Sequence, residues 1–357
     1  MTIDEAFCHF EQGMTQYFDD GGLKDGKALP HTQKNPNKPK GIGSEMKILA
    51  DGETKIFLHL EIVRQASEHP ALKFAVNNDA TIKGFQVKQA WHCAVTLRAA
   101  EYYFDTHRTI IGDSAFASVT TAYWLHVAGL NFMGIVKQCS KLYPKDLLTS
   151  LFNAMNPSDR KGQFRVCEAE KKLHPDNEKP VKMNAIAWTS SSKMKVLKKI
   201  ISTCGTTAEG PPHKKRGIEE IVIDGVTMKK EIAIPIDRPK VVATLFDSFS
   251  AVDIHDHYRQ GILCMEQHWV TKNWRKRIFS TILGMHLTDA FLGYKLECQM
   301  HDSEPMNFKI FVSMIAKNLV DTHLRHVIAR PRSSSNDNQV NVLLLSKKCH
   351  TYFNYWN

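Results

Sequence analysis

Nowhere in the 357 residues is there an apolar run of about 20 side chains, so no helix of bilayer length is expected. The eight cysteines are scattered and contain no C-x-x-C pair, which excludes a short-range zinc or disulfide framework and fits reduced thiols of the cytosol or nucleus. Met1 to Phe10 carries acids and a histidine where a secretory leader would carry bases ahead of an apolar core. Acidic residues are outnumbered, 37 against 47 Lys plus Arg, giving a net charge of +10. Such an excess favours polyanionic partners such as nucleic acid, and neither a membrane nor a small-molecule substrate is expected as partner. With 43% hydrophobic and 24% charged residues, the chain has the composition of a globular protein with a substantial core.

Periodicity divides the chain into few clear elements. Residues 1 to 46, rich in Gly, Pro, Asn and Lys, read as irregular, with Lys38 and Lys40 in a basic stretch. Met46 to Ile62 alternates around Asp51-Gly52-Glu53 and predicts a hairpin, and Lys88 to Phe104 has helical spacing. The β-branched run Thr109-Ile110-Ile111-Gly112 ends in Asp113, then leads through small residues into an amphipathic helix at Val119 and a strand at Asn131. Strand, helix and strand so close together imply a parallel crossover. Asp113 therefore stands at a strand exit, where sites form on α/β sheets, although a helix-capping role fits the same residues.

Further on, 185–188 and 196–203 predict strands around the polar run 189–193, and His213-Lys214-Lys215-Arg216 reads as an exposed basic loop. Ile221-Val222-Ile223 and Val241-Val242-Ala243 read as short strands around Asp224-Gly225. Residues 274–296 and 308–328 predict helices, the first with apolar coverage wide enough for a helical bundle. At its start, His268-Trp269 to Arg277 interleaves aromatic side chains with Lys272, Arg275, Lys276 and Arg277. That pattern suits stacking and phosphate contact, or anchoring of the tryptophans in a core.

The order of five segments resembles the piggyBac family of DNA transposases and their domesticated derivatives. These are Thr2-Ile3-Asp4-Glu5, Asn37 to Glu45, Gly112 to Ser118, Ala185 to Trp188, and Ala251-Val252-Asp253-Ile254-His255-Asp256. The resemblance implies an α/β, RNase H-like core interrupted by an insertion and flanked by an α-rich dimerisation and DNA-binding region. The expected division is 1–107 flanking, 108–204 core, 205–245 insertion, 246–260 core, and 261–357 α-rich. It further implies three carboxylates holding Mg²⁺ or Mn²⁺ against DNA, and a second copy of the chain as partner.

On that resemblance Asp113 matches the first acidic position and Asp253 the third, with Asp256 as a further candidate. The second is expected after Trp188, where Ser190 stands, or Met194 in an alternative register. No Asp or Glu lies between Trp188 and Glu209. A hydroxyl is no anionic ligand, so the expectation is an inactive protein with residual DNA binding through Lys38, Lys40, Lys272, Arg275, Lys276 and Arg277. The segment before Thr2 and the Cys-rich zinc-binding tail of many members have no counterpart here, which on the resemblance implies truncation. Three alternatives stand beside this reading. One is an active metal-dependent transposase or nuclease whose second carboxylate is unplaced, with Asp224 or Glu209 as rescue candidates. Another is a protein-interaction module without DNA binding. The third is a zinc hydrolase built on Asp253, His255, Asp256 and His257.

Overall fold

The computed structural model describes residues 1–10, 32–34, 42–64, 66–137, 140, 142–176, 179–223, 226–269, 271 and 273–329. Two compact units divide at Pro305, and the first holds the sheet. Its strands are β1 (Thr2–His9), β2 (Thr32–Lys34), β3 (Ile42–Ala50), β4 (Phe57–Ile62), β7 (Thr109–Gly112), β8 (Asn131–Ile135), β9 (Phe164–Lys171), β10 (Val181–Trp188) and β11 (Lys198–Ser202). Their order is β2-β3-β1-β7-β8-β11-β10-β9, with β4 also on β3. Strands β1, β7 and β8 are parallel, while β3 runs against β1, and β4 against β3. The short strands β5 (Thr81–Ile82) and β6 (Phe85–Gln86) pair apart from this sheet.

Alternation along the central strands explains why both faces are covered. Ile3, Leu49, Ile110, Phe132 and Ile201 join one core with helices α1 (Trp91–Ala100), α2 (Val119–Val127) and α3 (Lys145–Asn153). Ala6, Cys8, Met46 and Ile48 face the other way, against α5 (Ala251–Asp256) and α7 (Trp274–Met300). Further along that face, Ile111, Met133 and Ile200 meet Val241, Val242 and Leu245 of α4 (Lys240–Phe249). Strands apolar on both sides are what a sheet with parallel central strands buried between two helical layers requires.

The hairpin, the helices near 91 and 119, the parallel crossover and the strands near 185 and 200 agree with the sequence reading. Other expectations do not. Residues 1–46 are not irregular throughout: β1 lies at the middle of the sheet, and the sheet joins strands from either side of residue 107. Its alternation is masked because Ala6 and Cys8 are small and Asp4 and Glu5 interrupt the apolar pattern. Val241-Val242-Ala243 is helical, since Val241, Val242 and Leu245 recur on one helical face, and the true partner of β12 (His213–Ile223) is β13 (Val226–Ile236). His213 to Arg216 begins β12 and is no loop. Helix α7 lies on the sheet instead of in a bundle. Its buried face includes Ser280, Thr281, Gly284 and Thr288, small enough for close approach, while Phe279 is exposed. After α5, a π-helical turn (His257–Leu263) and α6 (Met265–His268) lead into α7. Helix α8 (Phe308–Ala329) belongs to the second unit.

The crossover packs tightly where it matters for the strand ends. A Cβ at Gly134 of β8 would lie 2.6 Å from the Cβ of Ala117, in the loop after Asp113. Gly134→Ala is accordingly expected to cost about 1–3 kcal/mol by overpacking. Urea unfolding of the two proteins measures it, and equal stabilities would contradict this packing.

Candidate metal-binding site

Strand β7 pairs with β1 only through Thr2↔Ile111 and Ile3↔Gly112. It then stops, while β1 runs on, so Asp4 and Asp113 leave the sheet side by side at the open end of β7. The Asp113 carboxylate is oriented by the Ala115 N–H, which donates to Oδ1 at 2.8 Å. It does not cap α2. That role falls to Ser118, whose Oγ accepts from the Thr121 N–H at 2.9 Å. Carboxylate oxygens of Asp4, Glu5 and Asp113 lie within 4.8 Å of one another.

Helix α5 packs on β1 and carries Asp253, exposed to solvent and near enough to act on the charge of Asp4. Ala251 and Val252 pack on β1 and β3, and His255 is fully buried. Its ring stacks on Phe57 with centroids 3.5 Å apart, and its Nε2 lies 3.1 Å from Asp289 Oδ1. The same oxygen accepts from the Phe57 N–H at 2.9 Å, so one carboxylate of α7 fastens α5 to β4. Burial raises the Asp4 carboxyl to about 7, with the negative charges of Glu5, Asp113 and Asp253 adding to the rise. Burial and like charge together disfavour the ionised form of Asp4, and a nearby positive charge would relieve both.

Asp256 is differently employed. It accepts from Nε and Nη2 of buried Arg259 at 3.0 and 2.9 Å, and Arg259 also pairs with Glu266. Its charge is spent on holding the π-helical turn beneath α5. The zinc reading finds no support here: His255 is committed to Asp289, and among the described residues the only group of three or more side chains able to hold a metal is Asp4, Glu5 and Asp113.

Ser190 is in the wrong place for a ligand. Strand β10 stands three strands from β7, about 14 Å across the sheet at ordinary strand spacing. Trp188 instead anchors the base of the β12–β13 hairpin, donating its indole N–H to Asp237 O at 2.9 Å. Met194 packs at the edge of the first core, and Glu209 is exposed beside Pro239; Asp224 lies outside the described residues. Asp4 was legible as a carboxylate in Thr2-Ile3-Asp4-Glu5, but only the parallel pairing with β7 marks it as the partner of Asp113.

Of the basic candidates, Lys38, Lys40 and Lys272 lie outside the described residues. Arg275 and Lys276 are exposed at the start of α7, where Asn273 caps their N–H groups. Arg277 is buried and donates to the Glu266 carbonyl, so it is structural. Trp274 packs against the core, while Trp269 is 41% exposed and edge-on to Phe279.

An α/β fold with a carboxylate cluster at the open end of its central parallel strands defines the class: a mixed-sheet protein with an acidic centre. A family model described as Transposase IS4 matches residues 9–291, and the chain belongs to that family. The matched span includes Asp113 and Asp253 and begins after Asp4. Among solved structures, the chain is similar to the piggyBac transposase in a cryo-EM synaptic complex with hairpin DNA. The TM-score is 0.57 at 14% identity, covering 93% of this chain. The chain spans 54% of the length of that transposase. No curated protein matches it. Among the described residues no helix is long and apolar enough to cross a membrane.

The raised Asp4 has a consequence for stability. Between about pH 4 and 7 the folded protein keeps a proton that the unfolded chain has released, so stability falls as pH rises and the whole penalty is present above 7. It amounts to at most about 4 kcal/mol. Metal-free Asp4→Asn is expected to melt higher than the parent at pH 8 and no higher at pH 4. Thermal melts at the two pH values check this, and a gap independent of pH would contradict it.

Proposed function

We propose that this chain is a metal-dependent DNA strand-cleaving and strand-transferring enzyme of the transposase type, with Asp4, Asp113 and Asp253 as its three acidic ligands. The carrying observation is that the carboxylates of Asp4 on β1 and Asp113 after β7 meet at the open end of β7, with Asp253 of α5 near enough to act on the charge of Asp4. This reading replaces the inactive one, whose ground was the serine at 190. The order β4-β3-β1-β7-β8, with β3 alone reversed, supports an RNase H-like core, and β12–β13 is the element that fits the expected insertion.

The donor set suits Mg²⁺ or Mn²⁺: all its oxygens are hard and anionic, and several are needed to retain such ions. Held by Asp4, Asp113 and Asp253, such ions would supply positive charge to a phosphodiester in reaction and would make water or a 3′-hydroxyl a better nucleophile. The residues of this chain supply position. Asp4 sits on a strand paired along its length with β3, Asp113 is oriented by its own turn, and Asp253 rides on a helix tied down through His255 and Asp289. Asp256 supports that helix through Arg259 and is a positioning residue.

Duplex DNA is the substrate we infer, and a second copy of the chain is the inferred partner; the similar piggyBac transposase was seen in a synaptic complex with hairpin DNA. Net positive charge and the exposed Arg275 and Lys276 supply phosphate contacts that need no particular sequence.

Cleavage and joining of labelled duplex DNA with Mg²⁺ or Mn²⁺ tests the reading. Asp4→Asn, Asp113→Asn and Asp253→Asn should each lower the rate at least about 100-fold, as loss of a charge-stabilising group in a catalytic site does. Ser190→Asp should change nothing. Full activity in Asp4→Asn would sink the proposal. For the DNA surface, Arg275→Ala with Lys276→Ala should reduce the slope of log affinity against log salt by about 2, one for each phosphate deprived of its cationic side chain. Arg277→Ala should instead lower the melting temperature, and an unchanged slope in the double variant would remove α7 from the interface.

A further inference from the structure

Beside the acidic cluster stands a buried cation. Lys47 of β3, 3% exposed, lies directly across from Glu5 of β1 and pairs with its carboxylate at 2.9 Å. It pairs as well with Glu45, two residues away on the same face of its own strand. Its Nζ also lies 5.1 Å from the centre of the Phe116 ring, and Phe116 follows Asp113 by three residues. One ammonium group thus touches the strand that carries Asp4 and the turn that carries Asp113.

Alternation gives Asp4 and Glu5 opposite duties. Asp4 shares the face of Ala6 and Cys8, toward α5 and Asp253, whereas Glu5 shares the face of Ile3 and Lys47. Even so, the oxygens of Glu5 come within 4.8 Å of those of Asp4 and Asp113, near enough to join a cation held there. Burial pushes the Glu5 carboxyl up, and Lys47 opposes that rise. A lysine ammonium with three donors, shared between two carboxylates and a ring face, gives Glu5 a hydrogen-bonded partner on the face away from α5.

We infer that Lys47 is a positioning residue that holds Glu5 out of the metal site, so that the cations are left to Asp4, Asp113 and Asp253. The inference rests on the metal-site reading above. Lys47 acts as a fixed resident cation on the β3 side of the cluster. It limits the negative charge offered to a divalent ion and braces the Phe116 turn against β1. Removing it would leave Glu5 and Glu45 without their shared partner, and Glu5 would turn to the nearest positive charge available, a bound metal ion.

The test is Mn²⁺ binding by calorimetry, with melting temperature measured with and without Mn²⁺, on the full chain. Glu5→Gln should bind Mn²⁺ within about threefold of the parent, while Lys47→Met should bind it at least about tenfold more tightly and gain more thermal stability from it. The double variant Lys47→Met with Glu5→Gln should return to within about threefold of the parent, because the gain depends on Glu5. A purely structural lysine would lower the melting temperature by the same amount with and without Mn²⁺. That result, or unchanged Mn²⁺ affinity in a folded Lys47→Met protein, would overturn the inference. So would a tenfold or greater loss in Glu5→Gln, which would make Glu5 a ligand already. If Lys47→Met does not fold even with Mn²⁺, Glu5→Gln decides alone on the same terms. Failure of Asp113→Asn to weaken Mn²⁺ binding would instead remove the metal site itself.

Discussion

Parallel pairing of β1 with β7 is the constraint on which the rest of this molecule depends. Two registered pairs, Thr2↔Ile111 and Ile3↔Gly112, join segments more than 100 residues apart in sequence, and the Met1 amine adds a bond to Thr109 O at 2.8 Å. Because β7 ends at Gly112 and β1 does not, the pairing leaves one strand end open beside a continuing strand. Both carboxylates at that step leave the sheet together. Antiparallel pairing, or a register moved by one residue, would turn Asp4 toward α1 and α2 and dissolve the cluster.

The acidic centre is assembled at a thermodynamic cost, and its surroundings show how the cost is borne. Asp4 is held high by burial and by its neighbours, and the surroundings fix two of those neighbours in place: the Ala115 N–H orients Asp113, and His255 with Asp289 ties down the helix of Asp253. Two further carboxylates nearby, Glu5 and Asp256, are met by buried cations, Lys47 and Arg259. These paired acids flank Asp4, whose carboxyl the negative charges of Asp113 and Asp253 help to raise.

Much of the fold is legible in the sequence. Alternation about Asp51-Gly52-Glu53, the β-branched run ending at Asp113, and the helix closed by Gly129 carry their signals locally, in turn chemistry and in hydrophobic period. The strand at Thr2–His9 is not legible, because a central strand interrupted by Asp4 and Glu5 looks like a polar segment until its partners are known. The helix at Lys240–Phe249 is hidden for a related reason: a Val-Val-Ala run suits either period, and only packing against Ile111 and Met133 decides. Among the site residues, Asp113 and Asp253 stand out beside a strand end and in an acidic run, whereas the place that the motif assigns to Ser190 lies three strands away in the sheet.

The sequence by itself determined the class of this protein: a basic α/β chain with carboxylates at element ends and the segment order of a transposase. Composition, period and local motif are properties of short stretches, and short stretches are enough to express them. Which carboxylates meet was decided only by tertiary structure. Strand order, parallel direction and register are relations between distant segments, and no local pattern records them. Arg277 makes the same point from the other side. In sequence it is one of several closely spaced bases suited to a DNA surface, but on the folded helix its angle turns it inward to the Glu266 carbonyl, leaving Arg275 and Lys276 to face the solvent.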